Sequence, residues 1–235
     1  MFAMVKTSKN EQAFEIANVL SPNMIDRTRS IGPQIYDLVR LNIILDNLIP
    51  GQAINEQDVC GCLGVSRTPM REAYQKLMHD GLIKTISKVG TIVSDIDDAR
   101  VTEGIIIRRA LEREVVKIIC TSDCDLSVLE PLVALQSVAV SQKNHIDFFK
   151  YDEEFHQLLA KMAGIPSAWR LAQSVKAHTD RARIRLTADL PLRINVAFEE
   201  HLKLIEALKI KDAELAQALV SQHINSVFEA VKNAK

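Results

Sequence analysis

The stretch Ser66-Arg67-Thr68-Pro69-Met70-Arg71-Glu72-Ala73-Tyr74-Gln75-Lys76-Leu77 constrains this chain more than any other. It opens with hydroxyl residues and a proline, which suit the first turn of a helix. A hydroxyl can accept from free N–H groups there, and proline has no donor to leave unpaired. Ala73 and Leu77, with Tyr74 or Met70, recur at three- and four-residue spacing and predict one buried face. Arg67, Thr68 and Arg71 fall on the opposite face, at the positive end of the helix dipole. Two guanidinium forks and a hydroxyl at that end suit a phosphate backbone and guanine edges. The same residues also describe an ordinary amphipathic helix with a solvated basic end, so the flanks must decide.

Upstream, Ile35, Leu38, Val39, Ile43 and Leu45 predict a helix over residues 32–48, ended by the turn Ile49-Pro50-Gly51. Asn55 is placed to cap a short helix through Glu56, Val59 and Leu63, which Gly64 closes. Downstream, Gly81 ends the Ser66 helix. Residues 82–86 and 91–93 are β-rich and joined by Ser87-Lys88-Val89-Gly90, so they predict a hairpin. Three helices, the last two joined by a tight turn and followed by a hairpin, make a winged helix-turn-helix. Residues 1–26 show no firm period and are expected to form a flexible or partly ordered lead-in.

The net charge of −1 looks wrong for a nucleic-acid binder until it is divided. Residues 27–93 hold eight basic and six acidic side chains, whereas residues 94–235 hold nineteen basic and twenty-one acidic. The basic excess therefore sits in the winged-helix segment, which permits DNA binding without demanding it. No apolar run approaches the roughly 20 residues that span a bilayer, and the opening MFAMVKTSKNEQAFEI lacks a signal-peptide core, so a cytoplasmic protein with no membrane partner is expected. Cys60/Cys62 and Cys120/Cys124 are not C-x-x-C pairs, so reduced thiols are expected rather than zinc or disulfides.

Pro50-Gly51-x-x-Ile54-x-Glu56, Leu63-Gly64-Val65-Ser66-Arg67-Thr68-Pro69-Met70-Arg71-Glu72-Ala73, Leu77, Gly81-Leu82 and Gly90 together resemble the DNA-binding domain of GntR-type transcription regulators. The resemblance covers residues 30 to 94. It implies a homodimer on double-stranded operator DNA, with the Ser66 helices in successive major grooves. By that carry-over Arg67 and Arg71 meet bases or adjacent phosphates, Ser66 and Thr68 hold the backbone, and the wing around Gly90 approaches the minor groove. Gln57, Cys60 and Val89 depart from residues common in the family, which bears on the operator sequence.

Residues 95–235 read as helical throughout, giving a mainly α chain: an N-terminal winged helix-turn-helix and a C-terminal all-α bundle of about six helices. Asp95 and Asp97 can cap a long helix through Ile105, Arg108, Leu111, Glu112, Val115 and Ile119. Further helices are expected over residues 126–140, 147–163, 167–187, 192–210 and 212–232, with breaks at Gly164-Ile165-Pro166 and Leu190-Pro191. Three of them carry an ionisable group inside an apolar line. Asp152 and His156 lie among Phe148, Phe155, Leu159 and Ala163; His201 lies among Ala197, Leu204, Ile205 and Leu208; His223 lies among Ala216, Val220, Val227 and Val231. Such groups cost several kcal/mol unless paired or metal-bound. A single core histidine is usually a hydrogen-bonded structural residue, but one carboxylate and three imidazoles on helices that can converge suit Zn²⁺, Ni²⁺, Mn²⁺ or Fe²⁺.

This half resembles the FCD effector domain of the FadR-like branch, through Arg108-x-x-Leu111-Glu112, Asp152-x-x-Phe155-His156, Glu200-His201 and His223. The resemblance implies Asp152, His156, His201 and His223 as ligands of a divalent transition metal with positions open to a small organic-acid effector. It gives Arg108 a bidentate contact to that acid; an ion pair with Glu112 is the alternative. Ile165 stands where the family often has Asn, which alters either the pocket or the helix cap. His178 either lines the pocket or plays a structural part. Arg181, Arg183 and Arg185 form a solvated face, inter-helix ion pairs or an effector contact, and Trp169 is expected in the core. The function expected is a metabolite-responsive regulator, a repressor released by its effector, divided as 1–26, 27–94 and 95–235. The alternatives are a metal-dependent enzyme built on the Asp/His cluster and an architectural DNA binder with a structural metal.

Overall fold

The computed structural model describes residues 16–190 and 192–233, with side chains through Ser226. The chain forms two compact units that divide between Ile96 and Asp97. Pro191 and the side chains of Val227 and Val231, invoked above, lie outside the described residues, as do residues 1–15 of the lead-in.

In the first unit, α1 (Ile31–Ile44), α2 (Glu56–Leu63) and α3 (Arg67–His79) precede a hairpin of β1 (Ile83–Ile86) and β2 (Gly90–Val93). Helix α1 buries Ile35, Val39 and Ile43 at four-residue spacing. It stops at Ile44 rather than running to residue 48, because Asp46 takes a positive φ of 61° and turns the chain. Leu48 folds back, its N–H donating to Asn42 O, and is fully buried. Helix α3 buries both Met70 and Tyr74, together with Ala73 and Leu77. The Tyr74 hydroxyl donates to Ile54 O at 3.1 Å. Residues 51–54 run beside β2, with Gly51 N donating to Val93 O and Ile54 N to Thr91 O, so the wing has a third edge. The lead-in is packed where it is described: Ile16, Leu20 and Ile25 are buried, and Arg27 donates to Gly64 O at the end of α2.

Among the described residues the second unit has seven helices where about six are expected: α4 (Asp98–Cys120), α5 (Glu130–Ser141), α6 (His145–Met162), α7 (Pro166–Val175), α8 (Ala177–Asp189), α9 (Leu192–Lys209) and α10 (Ala213–Asn233). Asp97 caps α4, its carboxylate accepting from Ala99 N and Arg100 N. Asn144 caps α6 through Asp147 N, which brings His145 into its first turn. Residues 126–129 form a 3-10 turn because Pro131 supplies no donor for an α-helix to begin there. The expected helix over 167–187 breaks at Lys176, so α7 and α8 are separate. Ile165 occupies the N-cap of α7 and makes no side-chain capping bond.

Gly104 on α4 allows the close crossing at that break. A Cβ there would lie 2.8 Å from Thr179 Oγ1 and 3.0 Å from Val175 O. Gly104→Ala is therefore expected to destabilise the second unit by about 1–3 kcal/mol, as overpacking does. Gly61 in the middle of α2 has nothing within 4 Å of its Cβ direction. Gly61→Ala should stabilise the first unit by about 0.5–1 kcal/mol. Thermal unfolding of the two variants checks the opposite signs.

Candidate functional sites

In the first unit the exposed end of α3 carries Ser66, Arg67, Thr68 and Arg71, all open to solvent. Ser66 occupies the N-cap with extended backbone, but its hydroxyl makes no capping bond. The capping expected from sequence is therefore absent. Asn55 likewise holds Asp58 Oδ2 at 3.1 Å instead of capping α2. Arg71 Nε lies 3.7 Å from Glu56 Oε2 on α2, a surface pair that sequence spacing did not show and that leaves most of the guanidinium exposed. At the wing tip Lys88 and Gly90 both take positive φ, 63° and 109°, and between them Val89 is 62% exposed.

In the second unit Asp152, His156, His201 and His223 come together. All four are buried, and one ligand atom from each lies within 4.8 Å of all the others. Helix α6 supplies two of them one turn apart; α9 and α10 supply one each. His223 Nε2 is 3.3 Å from both His156 Nε2 and His201 Nε2. Asp152 Oδ1 is 3.4 Å from His201 Nε2, 3.6 Å from His223 Nε2 and 3.9 Å from His156 Nε2. Around an ion with ligand bonds of ~2.1 Å, adjacent ligand atoms stand about 3.0–3.4 Å apart.

The outer nitrogens decide what the inner ones can be. His201 Nδ1 faces Gln136 Oε1 at 2.9 Å, while Gln136 Nε2 donates to Tyr151 O at 3.2 Å. That second bond fixes the amide, so His201 Nδ1 must be the donor and its Nε2 a bare acceptor. His223 Nδ1 meets the Glu200 carboxylate at 2.9 Å, and His156 Nδ1 lies 2.7 Å from Glu112 Oε2. His201 and His223 thus each have a hydrogen-bonded acceptor on the outer nitrogen, the arrangement that orients metal-binding imidazoles, while His156 Nδ1 lies close to a carboxylate without a formed hydrogen bond. Three inward lone pairs then face Asp152 Oδ1, a buried oxygen with no hydrogen-bond partner. Such a set repels itself unless a cation fills it, and the residues present fit a divalent transition metal.

Electrostatics points the same way for His156, His201 and Asp152, and the opposite way for His223. Burial drives His156 down to about 4, with Arg108 assisting and Glu112 opposing. Burial and the neighbouring His223 hold His201 well below the usual histidine range. Burial would raise Asp152, but the Arg183 guanidinium outweighs it and keeps the carboxyl well below its ordinary range. Burial lowers His223 less than the Glu200 and Asp152 carboxylates raise it, so the net shift is upward. Neutral rings and an ionised carboxylate are the forms that ligate metals.

Arg108 is buried, and its Nε donates to Glu112, so the ion-pair alternative holds for that edge. Its Nη2 has no hydrogen-bond partner. His178 goes elsewhere: its Nδ1 accepts from Asp97 N at 3.1 Å and fixes the start of α4. Trp169 is buried and stacks on His156 with 6.0 Å between ring centroids. The arginine cluster of α8 is not a solvated face, since Arg181 and Arg183 are buried. Arg183 donates to Asp152 Oδ2 at 2.5 Å and to Glu153 Oε1 at 3.3 Å, which are inter-helix ion pairs. A pocket of about 40 Å³ reaches the cluster at His223, with Arg183, Arg193, His145 and Phe149 among its walls. Sequence reasoning gave no role to Arg193 or His145.

Two matches to known proteins divide this chain as its units do. Residues 32–93 match the bacterial regulatory proteins of the gntR family, and residues 105–226 match the FCD domain. A 215-residue stretch is 32% identical to the HTH-type transcriptional repressor RspR of Escherichia coli (strain K12), covering 90% of this chain and 93% of that protein. The chain belongs to the GntR family. It is a DNA-binding transcription regulator with an FCD domain, and the enzyme alternative gives way because this family and these relatives are regulators. The Nta operon transcriptional regulator of Aminobacter aminovorans is 27% identical over 77% of this chain and 85% of that protein. E. coli McbR/YncC shares the fold, with a TM-score of 0.75 at 18% identity over 88% of this chain and 99% of that one. Among the described residues, no helix of this GntR regulator is long and apolar enough to cross a membrane.

Proposed function

We propose that this GntR regulator is a metal-dependent sensor of small organic acids that leaves its operator when the acid binds. Asp152, His156, His201 and His223 would hold one divalent transition metal, whose open positions supply Lewis-acid contacts to a carboxylate. The observation that carries this is the convergence of three imidazole lone pairs and the partnerless Asp152 Oδ1 beside a pocket walled by Arg183 and Arg193. Arg193 has one Nη2 on Ser226 O and Arg108 has a partnerless Nη2, so both arginines have donors to give an anion. Ser66, Arg67, Thr68, Arg71 and the Gly90 wing would bind operator DNA in a homodimer, and repression is supported by the relative RspR, itself a repressor. His178 has no part in the effector site on this reading.

The test is calorimetric titration of mono-, di- and tricarboxylates into metal-loaded protein. At least one acid is expected to bind, and Arg193→Ala should weaken it by roughly tenfold or more with metal content unchanged, as loss of a charge-assisted hydrogen bond would. Acid binding that is the same with and without metal, or indifferent to Arg193→Ala, contradicts the reading. Metal uptake should also weaken as pH falls from 7.5 towards 5.5. A proton on His223, held by Glu200 and Asp152, competes with the ion there.

A further inference from the structure

The two oxygens of the Asp152 carboxylate are used unequally. Oδ2 accepts from Arg183 Nη2 at 2.5 Å. Oδ1 has no hydrogen-bond partner and stands 3.4, 3.6 and 3.9 Å from the Nε2 atoms of His201, His223 and His156. An arginine fork commonly grips both oxygens of one carboxylate. Here the fork is split over two neighbouring carboxylates, since Nη1 donates to Glu153 Oε1 at 3.3 Å. Other groups hold it in that posture. The guanidinium lies 5.3 Å from the centre of the Phe149 ring. Glu153 Oε2 accepts from Lys176 Nζ at 2.5 Å, and the same ammonium group meets both Asp180 oxygens at 2.7 Å. Lys176, Asp180 and Asp152 are all fully or almost fully buried.

We propose that Arg183 is the positioning residue that restricts Asp152 to ligation through one oxygen. The inference rests on the metal reading proposed above and concerns how many positions of the ion stay open. A carboxylate can hold a metal through one oxygen or through two. With Oδ2 committed to a guanidinium that Glu153 and Phe149 keep in place, Oδ1 is the oxygen left to ligate. Three imidazole nitrogens and one oxygen then leave two positions of a six-coordinate ion, and a second Asp152 oxygen would fill one of them. Arg183 is also a wall of the pocket that reaches His223, so the residue that keeps a position open stands where an incoming acid arrives. A guanidinium serving only as counter-ion to a buried carboxylate would change metal affinity when removed, but not the number of open positions.

Mn²⁺ reports that number directly, because each open position carries an exchangeable water that relaxes bulk water protons. The full chain, stripped of metal and loaded with Mn²⁺ without any acid, should show about two such waters, given the six-coordinate preference of the ion. Arg183→Ala should show about one, so that relaxivity per bound Mn²⁺ falls by roughly half. In infrared difference spectra the asymmetric and symmetric stretches of the Asp152 carboxylate, identified by their loss in Asp152→Asn, should be widely separated in wild type and draw together in Arg183→Ala. Glu153→Gln loosens the same network but leaves Oδ2 on Arg183, and should keep about two waters. An unchanged count in Arg183→Ala, or an equal loss in Glu153→Gln, overturns the inference. The wild-type measurements decide without any variant. A single exchangeable water, or closely spaced stretches, overturns the role of Arg183 and leaves the metal reading standing. Wild type that takes up no Mn²⁺ overturns both.

Discussion

Stripping the metal from the protein is expected to lower the melting temperature of its second unit by on the order of 10 °C. Candidate ligands from α6, α9 and α10 meet at one point, so a bound ion would cross-link these three helices. Metal at a thousandfold excess over its Kd adds about 4 kcal/mol to the native state, and each kcal/mol is worth about 2–4 °C for a domain near this size. Without the ion, three imidazole lone pairs and Asp152 Oδ1 face one another in a buried space. His156→Ala and His223→Ala should each lose most of the bound metal and most of that stabilisation. Gln136→Leu, which leaves the His201 ring free to turn, should cost about 10–100-fold in metal affinity. Elemental analysis and thermal unfolding with and without chelator check these results. Protein purified without chelator that contains no metal and takes none up on reconstitution contradicts them.

Arg67→Ala and Arg71→Ala are each expected to weaken operator binding by about 1–3 kcal/mol, the worth of a guanidinium contact to a base edge. Both side chains are exposed, so neither change should disturb the fold of the first unit. The Arg71–Glu56 contact, 3.7 Å at the surface, is worth little to stability and leaves the guanidinium available. If one arginine reads a base, its loss relaxes sequence preference; if it meets a phosphate, binding falls evenly across sequences and the salt dependence becomes shallower. Titrations of both variants at several salt concentrations distinguish the two roles. Wild-type affinity in both variants would remove α3 from the groove.

The four clustered residues were legible in the sequence because each breaks an apolar stripe, and a polar exception on a core line is visible to periodicity. The side chains that support them were not. Glu112 is one of many charged residues on α4 and Gln136 one of few polar residues on α5, and in neither helix does the spacing name the histidine that the side chain faces. Helix α8 shows the limit best. Its sequence Ala-His-Thr-Asp-Arg-Ala-Arg-Ile-Arg-Leu-Thr-Ala-Asp looks solvated, yet His178, Asp180, Arg181 and Arg183 are buried. Partners from other helices compensate the charges, and partners across a fold leave no local spacing. Lys176 belongs to the same network, fully buried between Glu153 at 2.5 Å and Asp180 at 2.7 Å. The bend that separates α7 from α8 falls at this residue, in a stretch without Gly or Pro, so sequence alone predicted one helix. The winged-helix unit was more legible, since its turns are marked by Gly51, Gly64, Gly81 and Gly90, all at positive φ.

Coupling between the two units is the central claim, and operator titration in the presence of a bound acid tests it most directly. A ligand shifts DNA affinity only by its differential affinity for the DNA-competent and incompetent forms. Metal-loaded wild type should lose about 5–150-fold in operator affinity when an acid that binds it is saturating. Asp152→Asn, which keeps the shape of the side chain but weakens the ligand, should bind operator normally without acid and show little or no response to it. An Asp152→Asn variant that responds as the wild type does would make the cluster a structural site and place the sensor elsewhere.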